Sequence, residues 1–580
     1  MLQTIIKKNS YQDSVVLMLL TSKLNQLDEV LRVSIMMGTP SNIDIFRASG
    51  FDTPELSDAS SNDMVIMLEV SSEDDKEKVL SIIDEELSST QDSSGEVEEI
   101  INSWAKAMKK APDVSVALIS VPGEYAALEI EQALDNDLHA FVFSDNVAIE
   151  DERRLKEKAH DKGLLVMGPD CGTGVIHSIP LAFTNNIRKG KIGVIGASGT
   201  GIQEVTTLIH RYGQGVTNAI GTGGRDLSTE VGAISMLDSI VALNDNPDTE
   251  VIVVISKPPA KEVEEKVLNV LRKVDKPVVT LFLGTKPTFH EENLYHAYTL
   301  EETAQLSAKL LAKEEVVYTP SPIITLENKP TGKGIKGFYS GGTLAYEAAF
   351  LLEDALGIEH GSSPEGFTLK TDLHEVIDLG DDMYTKGKPH PMIDPEIRIN
   401  KIKSVVEDAD TGVVVFDVVL GYGAHDDMAS ALKPAIVEAQ KELEKQNRQV
   451  NFVSVLVGTD EDPQGMDEQK RILEEIGVTV CENNVQAIRT ALNQVGATLD
   501  LLEKDVKPKQ VSDLEKLPET SAKLAELLTE DPKIINVGLQ SFTKSIIDNK
   551  ADVVQFDWRP TAGGNVELQK VLYFLNHYTF

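Results

Sequence analysis

The sequence predicts a multi-domain α/β protein built on parallel, doubly wound sheets, with a small α+β unit at its start. Three observations predict it. The chain has 580 residues, too many for one hydrophobic core, and domains of roughly 100–200 residues make three to five the expected number. From Val114 onward, short apolar runs alternate with helical stretches, as in β-α units whose strands are covered on both faces. The third observation is an internal repeat, in which Ile192-Gly193-Val194-Ile195-Gly196-Ala197-Ser198-Gly199-Thr200 is echoed by Ile335-Lys336-Gly337-Phe338-Tyr339-Ser340-Gly341-Gly342-Thr343. Each copy reads strand, glycine turn, helix, and each has a glutamate four residues after its threonine, Glu204 and Glu347. A duplication of this kind means two homologous domains, of about 130 to 190 residues each.

Taken in order, the apolar run Val15–Leu20, a helical pattern through Leu27, the run Leu31–Met37 and a further run at Met64–Val70 predict a small β-α-β unit with an added strand, bounded at 1–95. The acidic, serine-rich stretch Glu86–Glu99 breaks periodicity and is expected to be a linker. Strands at Val114–Val121, Ala140–Phe143 and Leu164–Met167, with helices at Glu124–Asp135 and Asp151–Lys162, give a unit at 105–188. Buried strands at Ile192–Ile195, Val251–Ile255 and Val278–Leu283 define 189–318, and those at Gly412–Phe416 and Phe452–Val457 define 330–505. A last β-α-β segment, 520–580, runs through Ile534–Leu539 and Val553–Pro560 to the turn Ala562-Gly563-Gly564. Trp558, beside Arg559, is read either as an anchor for a partner or as a residue of the core.

Composition narrows the chemistry. With 55 Lys+Arg against 93 Asp+Glu the net charge is -38, which argues against nucleic acid and anionic membrane surfaces as partners. Two cysteines, Cys171 and Cys481, cannot build a disulfide framework, and with no leader-like apolar start the expected compartment is the cytoplasm. The 11 histidines show no metal-ligand spacing, so no metal is expected.

An acidic chain that binds a small anion must do so with backbone N–H groups and a few local cations, so glycine turns between strand and helix are where such a site is sought. The candidates are Ser198-Gly199-Thr200, Gly341-Gly342-Thr343 and the turn Gly421-Tyr422-Gly423-Ala424 after the strand ending near Asp417. Weaker downstream likeness between the copies adds Gly223, Gly224 and Arg225 in the first and Gly380 and Asp381 in the second. None is a Walker A loop. A glycine used only for tight packing is the competing reading of each turn. Thr385, Lys388, His390 and Asp394 crowd the stretch Leu379–Pro395, whose prolines and glycines argue against helix. His390 and His425 are the histidines placed to move a proton or, if charged, to pair with an anion.

With these motifs in place, the chain closely resembles the FdrA family, proteins built from succinyl-CoA synthetase-like domains. The resemblance runs through Tyr11-Gln12-Asp13-Ser14-Val15, Met36-Met37-Gly38-Thr39, Gly387-Lys388-Pro389-His390-Pro391-Met392-Ile393-Asp394-Pro395, Leu420–His425 and Asp557–Gly564. It implies a Rossmann-like, CoA-binding-type unit, with Val116–Val175 and Gly168-Pro169-Asp170 as its latter part, followed by two flavodoxin-like succinyl-CoA synthetase ligase domains. It also implies that Ser198-Gly199-Thr200 and Gly421-Gly423-Ala424 occupy the helix ends that flank a phosphohistidine in the superfamily. Here the sequence departs from the pattern. Ser256-Lys257 stands where an acidic residue is expected, His290 and His296 lie outside the expected loop, and the glycine-rich CoA loop is missing.

FdrA-type proteins are associated with oxamate carbamoyltransferase of allantoin breakdown, in which oxalurate and phosphate yield oxamate and carbamoyl phosphate. The resemblance therefore implies a carbamoyltransferase subunit working in a hetero-oligomer, with phosphate and carbamoyl phosphate as substrates and no certain cofactor. Lys257, His390 and His425 are its implied catalytic groups, with Lys257 or Arg225 beside the developing charge. Two other readings stay open: an NDP-forming acyl-CoA synthetase using CoA and a phosphohistidine, and a non-catalytic phosphate-binding scaffold.

Overall fold

The structure, a computed structural model, describes residues 2–89, 101–361, 363–501, 503–509, 511, 516–560 and 562–577. Most of the expected linker Glu86–Glu99 lies outside the described residues, and its first residues close the helix Glu73–Ser89.

The first unit is a three-stranded antiparallel sheet in which Met64–Val70 is central, between Leu2–Lys7 and Val30–Met37. Here one expectation is corrected: the apolar run Val15–Leu20 is part of the helix Ser14–Leu24, not a strand. Six apolar residues do not distinguish the two by themselves. Asp13 decides it, since its carboxylate accepts from the backbone N–H groups of Val15 and Val16 and so starts a helix that buries Leu17, Leu20 and Leu24.

The Rossmann-like unit is assembled from both ends of the chain. Strands Val116–Ile119, His139–Val142 and Val166–Met167 pair in parallel, and Val116–Ile119 also pairs in parallel with Ile534–Val537, which pairs with Val553–Phe556. Numbered along the chain, the strands lie in the order 3-2-1-4-5, the doubly wound order whose switch point falls between the first and fourth. The 520–580 segment therefore does not stand alone; it supplies two of the five strands of this sheet.

Both copies of the repeat fold as flavodoxin-like units. In the first, Val216–Gly221, Lys189–Ala197, Val251–Ser256, Val278–Phe282 and Leu294–Ala297 lie side by side, all parallel, in chain order 2-1-3-4-5. The hairpin Thr173–Ile176/Ile179–Ala182 extends one edge of that sheet, and Phe289–Glu291 with Asp505–Lys507 extends the other. In the second, Glu375–Asp378, Gly334–Tyr339, Thr411–Val419, Asn451–Val457 and Thr479–Cys481 repeat the same order. That order places the switch point between the first and third strands, so ligands are expected beyond Ala197 and Ser256 in one copy and beyond Tyr339 and Val419 in the other.

The repeated glutamates join the copies reciprocally. Glu347 Oε1 accepts from the N–H of Leu300, first residue of helix Leu300–Ala312 in the first copy, at 2.7 Å. Glu204 Oε1 accepts from the N–H of Asn484, first residue of helix Asn484–Val495 in the second copy, at 3.3 Å. Each copy thus supplies a cap to a helix of the other. Asn484 binds the pair together: its side chain donates to Glu347 at 2.9 Å and accepts from the Tyr339 hydroxyl at 2.9 Å. Burial pushes Glu347 up to about 8 and Glu204 to about 7. For groups raised in this way, the stability they give is full below the ordinary carboxylate pKa of 4.5 and is lost as pH rises to about 8. Melting measured at pH 5 and pH 9 should show that loss, and Glu347→Gln should make the two melting points converge.

Candidate functional site

The N-termini of the two repeated helices face each other. Ser198, N-cap of helix Gly199–Arg211, accepts from Gly201 N–H, and its hydroxyl also shares a hydrogen bond with that of Thr343 in helix Gly342–Leu356. Their approach explains why Gly341 must lack a side chain, since a Cβ there would stand 2.4 Å from the Thr200 methyl. Helix Gly342–Leu356 has no side-chain cap, so its first N–H groups meet no capping side chain.

The strand end leading into that helix is fixed from beneath. Asp417, fully buried, accepts from Ser340 N–H at 2.9 Å and from its hydroxyl at 2.8 Å. Arg398, 1% exposed, donates to the Asp417 carboxylate at 3.2 Å and to its backbone carbonyl. Desolvation pushes the Asp417 carboxyl upward while the neighbouring Arg398 guanidinium opposes the shift.

Lys257 projects into the same place from the end of Val251–Ser256. The Cβ position of Gly342 lies 2.5 Å from Asp378 Oδ2 and 3.5 Å from Lys257 Nζ. Asp378, whose Oδ1 accepts from Gly380 N–H at 2.9 Å, is pushed by burial up to about 6, with Lys257 opposing. Asp170 of the Rossmann-like unit is also raised to about 6 by desolvation; Lys257 and Arg225 pull it down, while Asp145 and Asp382 push it up. Asp170 retains solvent access yet is desolvated, as expected of a group lining a crevice. Three units therefore meet at one crevice: the Rossmann-like unit through Asp145 and Asp170, the first copy through Ser198, Gly224 and Lys257, and the second through Gly342, Asp378 and Gly380.

The remaining candidates fall on either side of this line. His390 belongs to the crevice, its Nε2 lying 2.8 Å from the Cβ position of Gly380. Its Nδ1 accepts from Met392 N–H at 3.2 Å, which leaves the proton on Nε2, and burial lowers it to about 4. His390 is thus a neutral hydrogen-bond donor at pH 7 and not a charged proton donor. Met392 also accepts from His425 N–H at 2.8 Å, so the two histidines flank one residue. His425 Nδ1 is taken by Asp427 N–H at 2.9 Å. Arg225 lines the crevice but is committed, with Glu152 at 2.8 Å and the Val147 carbonyl at 2.8 Å. Behind it the buried Lys156 binds Glu152, Asp226 and the Thr222 carbonyl, locking the 221–226 loop. Gly223 packs against the Pro169 carbonyl, 2.2 Å from its Cβ position. Asp381 caps the single helical turn Asp382–Thr385 through Met383 N–H, where the sequence argued against helix; an N-cap aspartate suffices for one turn between the glycines.

The Gly421–Ala424 turn is arranged differently from its counterparts. The Gly421 N–H donates to the Gln464 side chain at 3.0 Å, and Tyr422 N–H donates to the Thr184 carbonyl at 2.9 Å. Gly423 sits against the Phe183 ring, 2.7 Å from its Cβ position, and the following helix does not begin until Met428, capped by Asp427. At this turn the packing use of glycine is what the structure shows. Asp378, Asp417, Arg398 and Asp170 were not foreseen as site residues. For Asp170 the signal was present in Gly168-Pro169-Asp170; for Asp417 it was an acidic residue inside an apolar strand.

Comparison with known proteins gives three domain matches. A model described as AllF, heavy metal-associated domain, matches 1–101. One described as CoA binding domain matches 187–284, the first flavodoxin-like unit, and one described as CoA-ligase matches 338–493. The chain is 40% identical over 496 residues, 83% of its length and 96% of the relative's, to YahF of Escherichia coli (strain K12), described as an uncharacterized protein. It is 31% identical over 193 residues to the alpha subunit of the ADP-forming succinate--CoA ligase of Aquifex aeolicus, covering 32% of this chain and 61% of that one. Among solved structures, the apo dinucleotide-forming acetyl-coenzyme A synthetase 1 of Ca. Korarchaeum cryptofilum is 16% identical, with a TM-score of 0.27, over 66% of this chain and 84% of that one.

The two domain models named for CoA imply coenzyme A, and the Rossmann switch point can be tested for it. The helix that would meet a diphosphate, Gly123–Asp135, starts with one glycine, whose Cβ position lies 2.0 Å from the Asp145 carbonyl. Glu124 stands in its first turn and Tyr125 beneath Ser61. An acidic first turn packed against backbone does not fit a diphosphate. Among the described residues no helix is long and apolar enough to cross a membrane. Its sheet orders, its domain matches and its identity with YahF over most of both chains place this protein in the FdrA-like family of succinyl-CoA synthetase-like proteins.

Proposed function

We propose that the three-unit crevice is the active site of a group-transfer enzyme acting on a small substrate that is both anionic and rich in N–H donors. The observation that carries this is the meeting of Lys257 and the uncapped N-terminus of Gly342–Leu356 with Asp170 and Asp378. Backbone N–H groups and one ammonium suit the anion, and the carboxylates suit amide or ureido N–H groups.

The reaction that fits is transfer of a carbamoyl group between oxalurate and phosphate, with this chain as one subunit of an oxamate carbamoyltransferase. A phosphate oxygen attacks the ureido carbonyl carbon, the bond from that carbon to the inner nitrogen breaks, and the proton of the attacking hydrogen phosphate passes to the leaving nitrogen. Carbamoyl phosphate and oxamate result, with no phosphorylated enzyme. Lys257 and the helix N–H groups stabilise the tetrahedral oxyanion, and His390 Nε2–H supplies a neutral hydrogen bond. Phosphate and the two carbamoyl compounds are substrates, and no cofactor is required.

A second reading is favoured by the CoA-ligase match to 338–493 and the CoA binding match to 187–284: formation of an acyl-CoA from an acid, CoA and a nucleotide. Carbamoyl phosphate formation from oxalurate and phosphate, assayed with the chain alone and with the products of its neighbouring genes, separates the two. Acyl-CoA formation with a phosphate-labelled histidine, and no carbamoyl phosphate, would replace the first reading by the second.

A further inference from the structure

Residues 1–101, matched to a heavy metal-associated domain, contain no cysteine and no histidine. Heavy-metal ions of that class are held by thiolate, imidazole or thioether donors. The thioethers of Met36, Met37, Met64 and Met67 are buried in the core, the Met37 sulfur accepting from Gln12 N–H and the Met67 sulfur from the Thr4 hydroxyl. Two carboxylates beside the 8–13 loop are also committed. Asp63 accepts from Asn9 N–H, Ser60 N–H, the Ser60 hydroxyl and Lys8 Nζ, all within 2.8–2.9 Å, and these partners hold it near 2. Asp13 is spent as a helix cap. The donor set does not fit a heavy metal.

The loop between strand Leu2–Lys7 and helix Ser14–Leu24 does something else. Tyr11 leaves it to meet the Trp558 ring edge-on, centroids 5.5 Å apart, and Trp558 in turn lies 5.5 Å from Tyr125. Burial pushes the Tyr11 hydroxyl well above its ordinary range. Beside it, Ser61 reaches the Cβ position of Gly564, and the Tyr125 hydroxyl donates to the Gly564 carbonyl at 3.1 Å. Both tryptophans of the chain, Trp104 and Trp558, donate their indole N–H groups to the two oxygens of Glu129 at 2.8 Å. Tyr125 and Glu129 lie on the helix that starts at the Rossmann switch point, where a dinucleotide sits in such folds.

We propose that the N-terminal unit binds no heavy metal and that its 8–13 loop, with the Ser60–Asp63 turn, is an in-chain cover seated over the Rossmann crevice in the place of a nucleotide. Two measurements on the full chain test this. Equilibrium dialysis against Zn2+ and against Cu+ should leave less than about one tenth of an equivalent bound after chelator wash; one retained equivalent of either ion overturns the first half. Hydrogen exchange should find amides 123–130 protected in the native chain and roughly ten-fold faster in Tyr11→Ala, with 334–339 unchanged and Tyr11→Phe like the parent. If Tyr11→Ala fails to fold, acrylamide quenching of the native chain decides: covered indoles quench poorly. Native-rate exchange at 123–130 in a folded Tyr11→Ala, or indoles quenched as readily as free tryptophan, overturns the cover.

Discussion

Lys257→Ala should lower the rate of carbamoyl transfer by about 10²–10³-fold, with little change in the melting temperature. Lys257 is half-buried at a strand end, and its charge acts on Asp170 and Asp378 from across the crevice. Removing a cation aimed at developing negative charge in a partly desolvated site costs about 3–4 kcal/mol of transition-state stabilisation. Removing it from a strand end that packs through Ile255 and Ser256 costs the fold little. The ammonium also opposes the upward shifts of Asp170 and Asp378, so its loss should move any acidic limb of the pH–rate profile to higher pH. Lys257→Arg should restore part of the rate. Steady-state assay of the assembled complex checks all three, and full activity in Lys257→Ala would leave this crevice a phosphate-binding scaffold, with catalysis in another subunit.

Arg398→Ala should destabilise the second flavodoxin-like unit by about 3–5 kcal/mol, the cost of leaving a buried charge unpaired. Asp417 has no solvent exposure and Arg398 is its only cationic partner among the described residues. The lost guanidinium would force Asp417 to take up a proton, and its hold on Ser340 N–H and hydroxyl would weaken with its charge. Calorimetry of the chain measures the first effect. The compensating pair Arg398→Met with Asp417→Asn should recover most of the stability, because a neutral amide no longer needs the cation. If Arg398→Ala melts with the parent, water or backbone is solvating Asp417 and the pair is not what fixes the strand end.

What the sequence disclosed and what it hid follow from range. The repeat was legible because a strand, a glycine turn and a capped helix are local, and the two copies could be read against each other at Ser198 and Gly341. The flavodoxin-like order could be expected through the resemblance. The common crevice was hidden, since Asp170 and Lys257 have no local signature that joins them. Glu204 and Glu347 stood out as a repeated letter, yet their reciprocal capping depends on two helix ends distant in sequence. At the turn Gly421–Ala424 the sequence left two readings standing, because glycine marks close approach equally well when the neighbour is Phe183. Trp558, read either as anchor or core, is 6% exposed and tied to Glu129.

The union of Val116–Ile119 with Ile534–Val537 also sets a clock on biosynthesis. The backbone bond from Ser115 to Lys533 spans 418 residues, which a ribosome adding about 5–20 residues per second takes roughly 20–80 s to deliver. Throughout that interval the nascent Rossmann sheet carries an open edge of unpaired N–H and C=O groups beside apolar Leu118 and Ile119, while both flavodoxin-like units emerge and fold. The newborn chain is therefore most vulnerable to edge-to-edge aggregation before Ile534–Val537 appears, and termination between the second copy and that strand would release a protein whose crevice is nearly complete but whose Rossmann sheet keeps an open edge.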